Sequence, residues 1–170
     1  MDSYKQESTP GGERYFEGTE AIKRRVENGT LIITYEGHGG EVGFAEEQIL
    51  INSEITNWKN INKLNLFVSA TCEFTKFDDP KRVSAGELVS MNPTGGAIAM
   101  MTTTRSIYVS VNSIIGEKFF NTVFNRDSEN KPQRFGDIIK VVKNTSGSSQ
   151  NKRCFTLIGD PALRIALPEM

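Results

Sequence analysis

Strands alternate with helices along most of this 170-residue chain, which predicts an α/β fold with a mainly parallel sheet covered on both faces. Three observations carry that expectation. Two short runs rich in apolar residues, Thr30–Tyr35 and Leu64–Ala70, lie about thirty residues apart, ample for a crossover connection. A third, Gly96–Met101, follows a segment patterned as a helix. Then Ser110–Asn125 places apolar residues at Val111, Ile114, Ile115, Phe119, Phe120, Val123 and Phe124, a helical period with a broad buried face.

The elements follow in order. The polar, Gly- and Pro-bearing residues 1–18 read as an extended or poorly ordered lead-in to a single domain over 1–170. Thr19 is the expected N-cap of a helix reaching Asn28, with Gly29 as its terminator. The strand 30–35 runs into Gly37-His38-Gly39-Gly40, which reads as a tight loop. Ile49–Ile51 is a short extended piece, and Ser53–Trp58 a short helix capped by Ser53. The strand 64–70 leads straight into Thr71-Cys72, followed by a polar loop, Lys76–Arg82. Ser84–Met91 is a helix stopped by Asn92-Pro93. The strand 96–101 ends in Thr102–Ser106. Beyond the long helix come a loop at Asp127–Gln133, a helix at Phe135–Lys143 and a Ser/Gly/Asn loop at 144–151. Cys154–Ile158 is a fourth strand, Gly159-Asp160-Pro161 a turn, and Ala162–Leu167 a short final strand. No internal repeat is visible.

Composition narrows the function classes. With 20 basic and 21 acidic residues the net charge is −1, and no basic stripe favours nucleic acid. No apolar run approaches the roughly 18–20 residues that span a membrane, and the N-terminus lacks the apolar core of a signal peptide. One histidine and two cysteines do not make a Cys2His2 zinc site, HExxH is absent, and no cofactor motif stands out. No metal or cofactor is expected. Asp78 and Asp79, beside Lys81 and Arg82, read as a solvated loop; lining a cleft or holding a calcium ion is the alternative, though the spacing is not that of an EF-hand. Gly95-Gly96 reads as a turn, since no Lys-Ser/Thr follows. Trp58 reads as a packing residue. Cys154 lies in a core-strand pattern, Cys-Phe-Thr-Leu-Ile, and a Cys72–Cys154 disulfide stays open as an alternative.

The candidate chemistry sits at strand ends. In open parallel sheets ligands bind beyond the carboxyl ends of the strands. His38 follows the first strand and Cys72 the second, so neighbouring strands would deliver an imidazole and a thiol to one edge. Such a pair is a nucleophile with its base. The thiolate is the reactive form of a cysteine, and an adjacent imidazole raises its fraction. The same imidazole then protonates the leaving amine. Backbone N–H groups of Gly39 and Cys72 are the candidate oxyanion donors, each such donor being worth about 2.7–4 kcal/mol in a transition state. Taken singly, a histidine in a Gly-rich loop is ordinary turn chemistry, and a cysteine at a strand end is an ordinary small hydrophobe. Their joint placement carries the functional reading. Glu36, Glu41 and Glu73 flank the pair, as surface charges or as a group that orients His38.

A strand ending in His-Gly, followed by an apolar strand ending in Ala-Thr-Cys, resembles the clan of caspases, legumains and gingipains. Residues 4–13, Gly37–Gly40, Ser69–Phe74 and Leu157–Arg164 are similar to gingipain-type (C25-like) cysteine peptidases, in particular to PorU-type sortases of the type IX secretion system. The similarity covers nearly the whole chain, with four segments in the right order. It implies a three-layer α/β/α caspase-like sandwich, of which this chain is the C-terminal, dyad-bearing part. It implies His38 and Cys72 as catalytic dyad, Gly39 and Cys72 as oxyanion hole, and a substrate pocket built partly from the Thr102–Tyr108 segment. Thr102, Thr103, Thr104 and Arg105 offer that pocket hydroxyls and one positive charge, with no acid in that short segment to favour a basic side chain.

The function so implied is that of a cysteine endopeptidase and transpeptidase. It would remove the C-terminal signal domains of secreted cargo through a thioester. It would then pass the acyl group to an amine, with anionic lipopolysaccharide as acceptor. Other secretion-system components would be partners. The place of action would be the outer-membrane surface of a Gram-negative bacterium. Two alternatives stay open: a non-catalytic cargo-binding module and a simple hydrolase.

Overall fold

The computed structural model describes residues 4–10, 12–45, 47–147 and 150–167. Residues 1–3 and 11 of the expected lead-in, residues 148–149 of the Ser/Gly/Asn loop and the Val111 side chain lie outside the described residues. In chain order the elements are β1 (Glu7–Thr9), β2 (Gly12–Arg14), α1 (Phe16–Asn28), β3 (Ile32–Glu36), β4 (Gly39–Gly40), β5 (Gly43–Phe44), β6 (Leu50–Ile51) and α2 (Asn52–Thr56). There follow β7 (Asn65–Ala70), α3 (Ala85–Met91), β8 (Ala97–Thr103), α4 (Val109–Val123), α5 (Phe135–Thr145), a 3-10 turn at Gln150–Arg153 and β9 (Phe155–Ile158).

The main sheet has the order β3-β7-β8-β9. β3, β7 and β8 run parallel, and β9 lies antiparallel on β8. β7 is buried at every residue, as a strand covered on both faces must be. Its alternation divides the core. Leu66, Val68 and Ala70 pack with Ile115 and Phe119 of α4 and Ile138 and Val142 of α5. Phe67 faces the other way, toward Val26 of α1, Ile55 of α2 and Val89 of α3. The result is the expected three-layer α/β/α sandwich. Each fully buried large apolar side chain contributes about 1.5–3 kcal/mol over an exposed one.

Several local expectations change. β1 and β2 pair antiparallel, with Glu7 opposite Arg14. α1 begins at Phe16 and not at Thr19. Thr19 is buried within it and donates its hydroxyl to the Ile49 carbonyl at 2.9 Å, so it is a tertiary tie and not a cap. α2 begins at Asn52, which places Ser53 inside the helix. Its carbonyl accepts from Thr56 and Asn57. Gly39-Gly40 pairs with β5, and β5 with β6, in a small antiparallel sheet. The final strand at 162–167 is replaced by a single bridge between Arg134 and Arg164. The helix at 85–91 begins with a capping box, the Ser84 N–H donating to Glu87 at 2.8 Å.

Candidate active site

In the parallel register of β3 and β7, Glu36 stands opposite Ala70. His38 and Cys72 each lie two residues further on. Adjacent strands are about 4.8 Å apart, so the two residues leave the carboxyl edge of the sheet side by side. The N–H of Gly37 extends the pairing by donating to the Ala70 carbonyl at 3.4 Å.

The histidine loop is held from below. The carbonyl of His38 accepts from the Tyr35 hydroxyl at 2.6 Å and from the Ala45 N–H at 2.8 Å. The imidazole itself is exposed. His38 and Ala45 thus form a hydrogen-bonded pair of the hairpin. Antiparallel pairs alternate, so the next pair, Gly39 and Phe44, is not hydrogen-bonded and the Gly39 N–H turns away from β5. A Cβ on Gly39 would lie 2.7 Å from the Thr71 hydroxyl and 2.7 Å from the Gly43 carbonyl oxygen. The histidine and cysteine loops therefore touch at a position that only glycine fits.

The cysteine loop is gripped from the other side. Ile107, beyond β8, donates its N–H to the Cys72 Sγ at 3.5 Å, and the thiol lies 3.6 Å from the Ile107 carbonyl oxygen. Glu73 adopts a left-handed φ of 50°, rare for a residue with a side chain. It turns the chain immediately after the thiol, and its N–H donates to the Arg105 carbonyl at 3.3 Å. Lys76 bridges Glu41 at 3.0 Å and Glu73 at 3.5 Å, tying the two loops by charge. Its hydrogen bond to Glu41 holds the ammonium above its ordinary pKa. Arg105 makes two bonds to Asp78, at 3.0 and 2.5 Å, and this holds the Asp78 carboxyl below its ordinary value. Under the loops an aromatic stack runs from Tyr35 through Phe44 to Phe74, with centroids 3.8 and 4.7 Å apart.

The side chains of His38 and Cys72 are not hydrogen-bonded to each other; the thiol is held by Ile107 instead. Catalytic hydrogen bonds are often loose before substrate binds. Of the four expected pocket residues, Thr102 and Thr103 are fully buried. Thr102 bonds the Thr75 hydroxyl at 2.8 Å, and Thr103 donates to the Thr71 carbonyl. Strand β8 extends through both, so their hydroxyls serve the scaffold and not an open pocket. Thr104 is half-buried and donates its N–H to the Cys154 carbonyl at 2.9 Å, while Arg105 is exposed. Glu41 and Glu73 pair with Lys76, and Glu36 lies against Gly116 of α4. Both cysteines are free thiols. Among the described residues no group of three or more His, Cys, Asp or Glu is placed to hold a metal ion. The Ile107–Cys72, Lys76–Glu41 and Asp78–Arg105 contacts had no local sequence signal, because each spans more than twenty residues.

The chain matches the family model of peptidase family C25 over residues 1–166. It belongs to peptidase family C25. The C25 chain is similar in structure to the Arg-specific cysteine proteinase gingipain R (RgpB), with a TM-score of 0.75 and 18% identity, over 86% of this chain and 36% of that one. It is similar to the complex of Porphyromonas gingivalis RgpB pro- and mature domains, with a TM-score of 0.72 and 17% identity, over 86% and 37% of the two chains. A further protease structure gives 0.70 and 16%, over 82% and 36%. At these identities the likeness establishes the fold, which is the gingipain caspase-like one. The C25 chain spans little more than a third of these structures. No curated protein matches it.

Proposed function

We propose that this C25 chain carries the acyl-transfer centre of a cysteine peptidase, with Cys72 as nucleophile and His38 as its acid and base. The supporting observation is the register: two residues beyond the paired Glu36 and Ala70 stand the only histidine and one of two cysteines. Cys72 Sγ attacks the scissile carbonyl while His38 takes the thiol proton. The amides of Gly39 and Cys72 receive the developing oxyanion. His38 then returns the proton to the leaving amine, and a thioester remains on Cys72. An incoming amine or water attacks that thioester, gives its proton to His38, and frees the thiol.

The four motif segments support a finer reading: a PorU-type sortase acting at the outer-membrane surface. It removes the C-terminal signal of exported cargo and transfers the acyl group to an amine of anionic lipopolysaccharide. Cys72→Ala in the intact parent protein is expected to leave cargo uncleaved while the fold persists. Normal processing by that variant would sink the proposal. An added amine found on the product separates transfer from hydrolysis. The bond between Cys72 and Ile107 favours a second reading, a cargo-binding module whose thiol is structural, and the same variant decides it.

A further inference from the structure

Four large apolar side chains stand exposed on the loops at the carboxyl edge of the main sheet: Val42 (61%), Phe77 (56%), Val83 (52%) and Tyr108 (78%). Singly, exposed apolar residues are ordinary. These come from three loops that are bonded to one another. Val42 follows Glu41, whose carboxylate takes Lys76 and whose carbonyl accepts the Ala85 N–H at 2.7 Å. Ala85 lies two residues past Val83. Phe77 sits between Lys76, bonded to Glu41, and Asp78, bonded to Arg105. Ile107, two residues past Arg105, donates to the Cys72 thiol, and Tyr108 comes next. The bonds therefore gather the four residues into one rim beside Cys72.

Four carboxylates of that rim, Glu41, Glu73, Asp78 and Asp79, stand with four cations, Lys76, Lys81, Arg82 and Arg105. Glu41 and Glu73 share Lys76, and Asp78 holds Arg105. Asp79 accepts the backbone N–H of Lys81 at 2.9 Å. Glu36 lies against α4, which covers the opposite face of the sheet from α3. A basic side chain entering here would compete with a cation in place, whereas an apolar one would cover exposed apolar surface.

Resting on the acyl-transfer reading, we infer that this rim selects extended peptides with a bulky apolar side chain beside the scissile bond, and disfavours basic ones. The preference is opposite to the Arg specificity named for gingipain R.

The test uses peptidyl acyloxymethyl ketones carrying Leu, Phe, Arg or Lys next to the reactive group, with iodoacetamide as a sequence-independent reagent. Adduct formation on Cys72 of the full chain is followed by mass spectrometry. The Leu and Phe probes are expected to label about tenfold faster than the Arg and Lys probes. The double variant Phe77→Ala, Val83→Ala should erase that advantage and leave the iodoacetamide rate unchanged. Equal or faster labelling by the basic probes, or an unaltered preference in the double variant, overturns the inference. Labelling by iodoacetamide with no labelling by any peptidyl probe overturns the acyl-transfer reading as well.

Discussion

The backbone N–H of Ile107 donates to the thiol of Cys72 at 3.5 Å, so the loop beyond β8 touches the proposed nucleophile directly. Two residues upstream, Arg105 is fastened to Asp78 by two hydrogen bonds. The ion pair thus ties the start of that segment to the loop that carries Cys72. Asp78→Asn is expected to speed hydrogen exchange at the Ile107 amide and to change the alkylation rate of Cys72. Global stability should barely move, because exposed ion pairs contribute little. Exchange mass spectrometry with a urea titration checks both.

The same pair has a defined pH dependence. Its hydrogen bond to Arg105 lowers the folded-state pKa of Asp78, so the contribution is present above the unfolded carboxylate value and lost as pH falls through the folded one. Protection of the Ile107 amide, corrected for intrinsic exchange, should stay level from neutral pH through the ordinary carboxylate range. It should drop only below that. A drop near neutrality contradicts the assignment.

Gly43 has a φ of 137°, and a Cβ there would lie 1.9 Å from the Leu50 carbonyl oxygen. Gly43→Ala therefore opposes both backbone conformation and packing of the hairpin behind His38. It is expected to cost at least about 1–3 kcal/mol, measured by urea unfolding. Gly40→Ala, where a Cβ meets nothing within 4 Å, should cost far less.

Phe44 is 3% exposed and stacks on both Tyr35 and Phe74, joining the floor of the histidine loop to that of the cysteine loop. Phe44→Ala is expected to destabilise the chain by about 3–5 kcal/mol. It should also slow peptide cleavage more than the loss of folded protein explains, checked by activity per folded molecule.

The main strands were legible because each is a short apolar run ended by glycine or polar residues, and β7 is buried on both faces. The strand-end positions of His38 and Cys72 followed from the same runs. The small sheet of β4, β5 and β6 was not legible: each strand has two residues, too few for any alternation to show. Thr19 resembled a cap because its hydroxyl has the right chemistry, but its partner, the Ile49 carbonyl, is thirty residues away. The threonines at 102 and 103 were expected in a pocket because the resemblance implies one built partly from that segment. Strand pairing buries them, and their partners Thr75 and Thr71 belong to the cysteine loop. Long-range polar partners leave no periodic trace in a sequence, and they account for these differences.

The most direct test of the proposed dyad is the alkylation rate of Cys72 and Cys154 as a function of pH, followed by mass spectrometry in the chain and in its His38→Ala variant. The account predicts that Cys72 outpaces Cys154 below neutral pH and loses that advantage when His38 is replaced. Equal rates for the two thiols, or a Cys72 rate indifferent to His38, would contradict it.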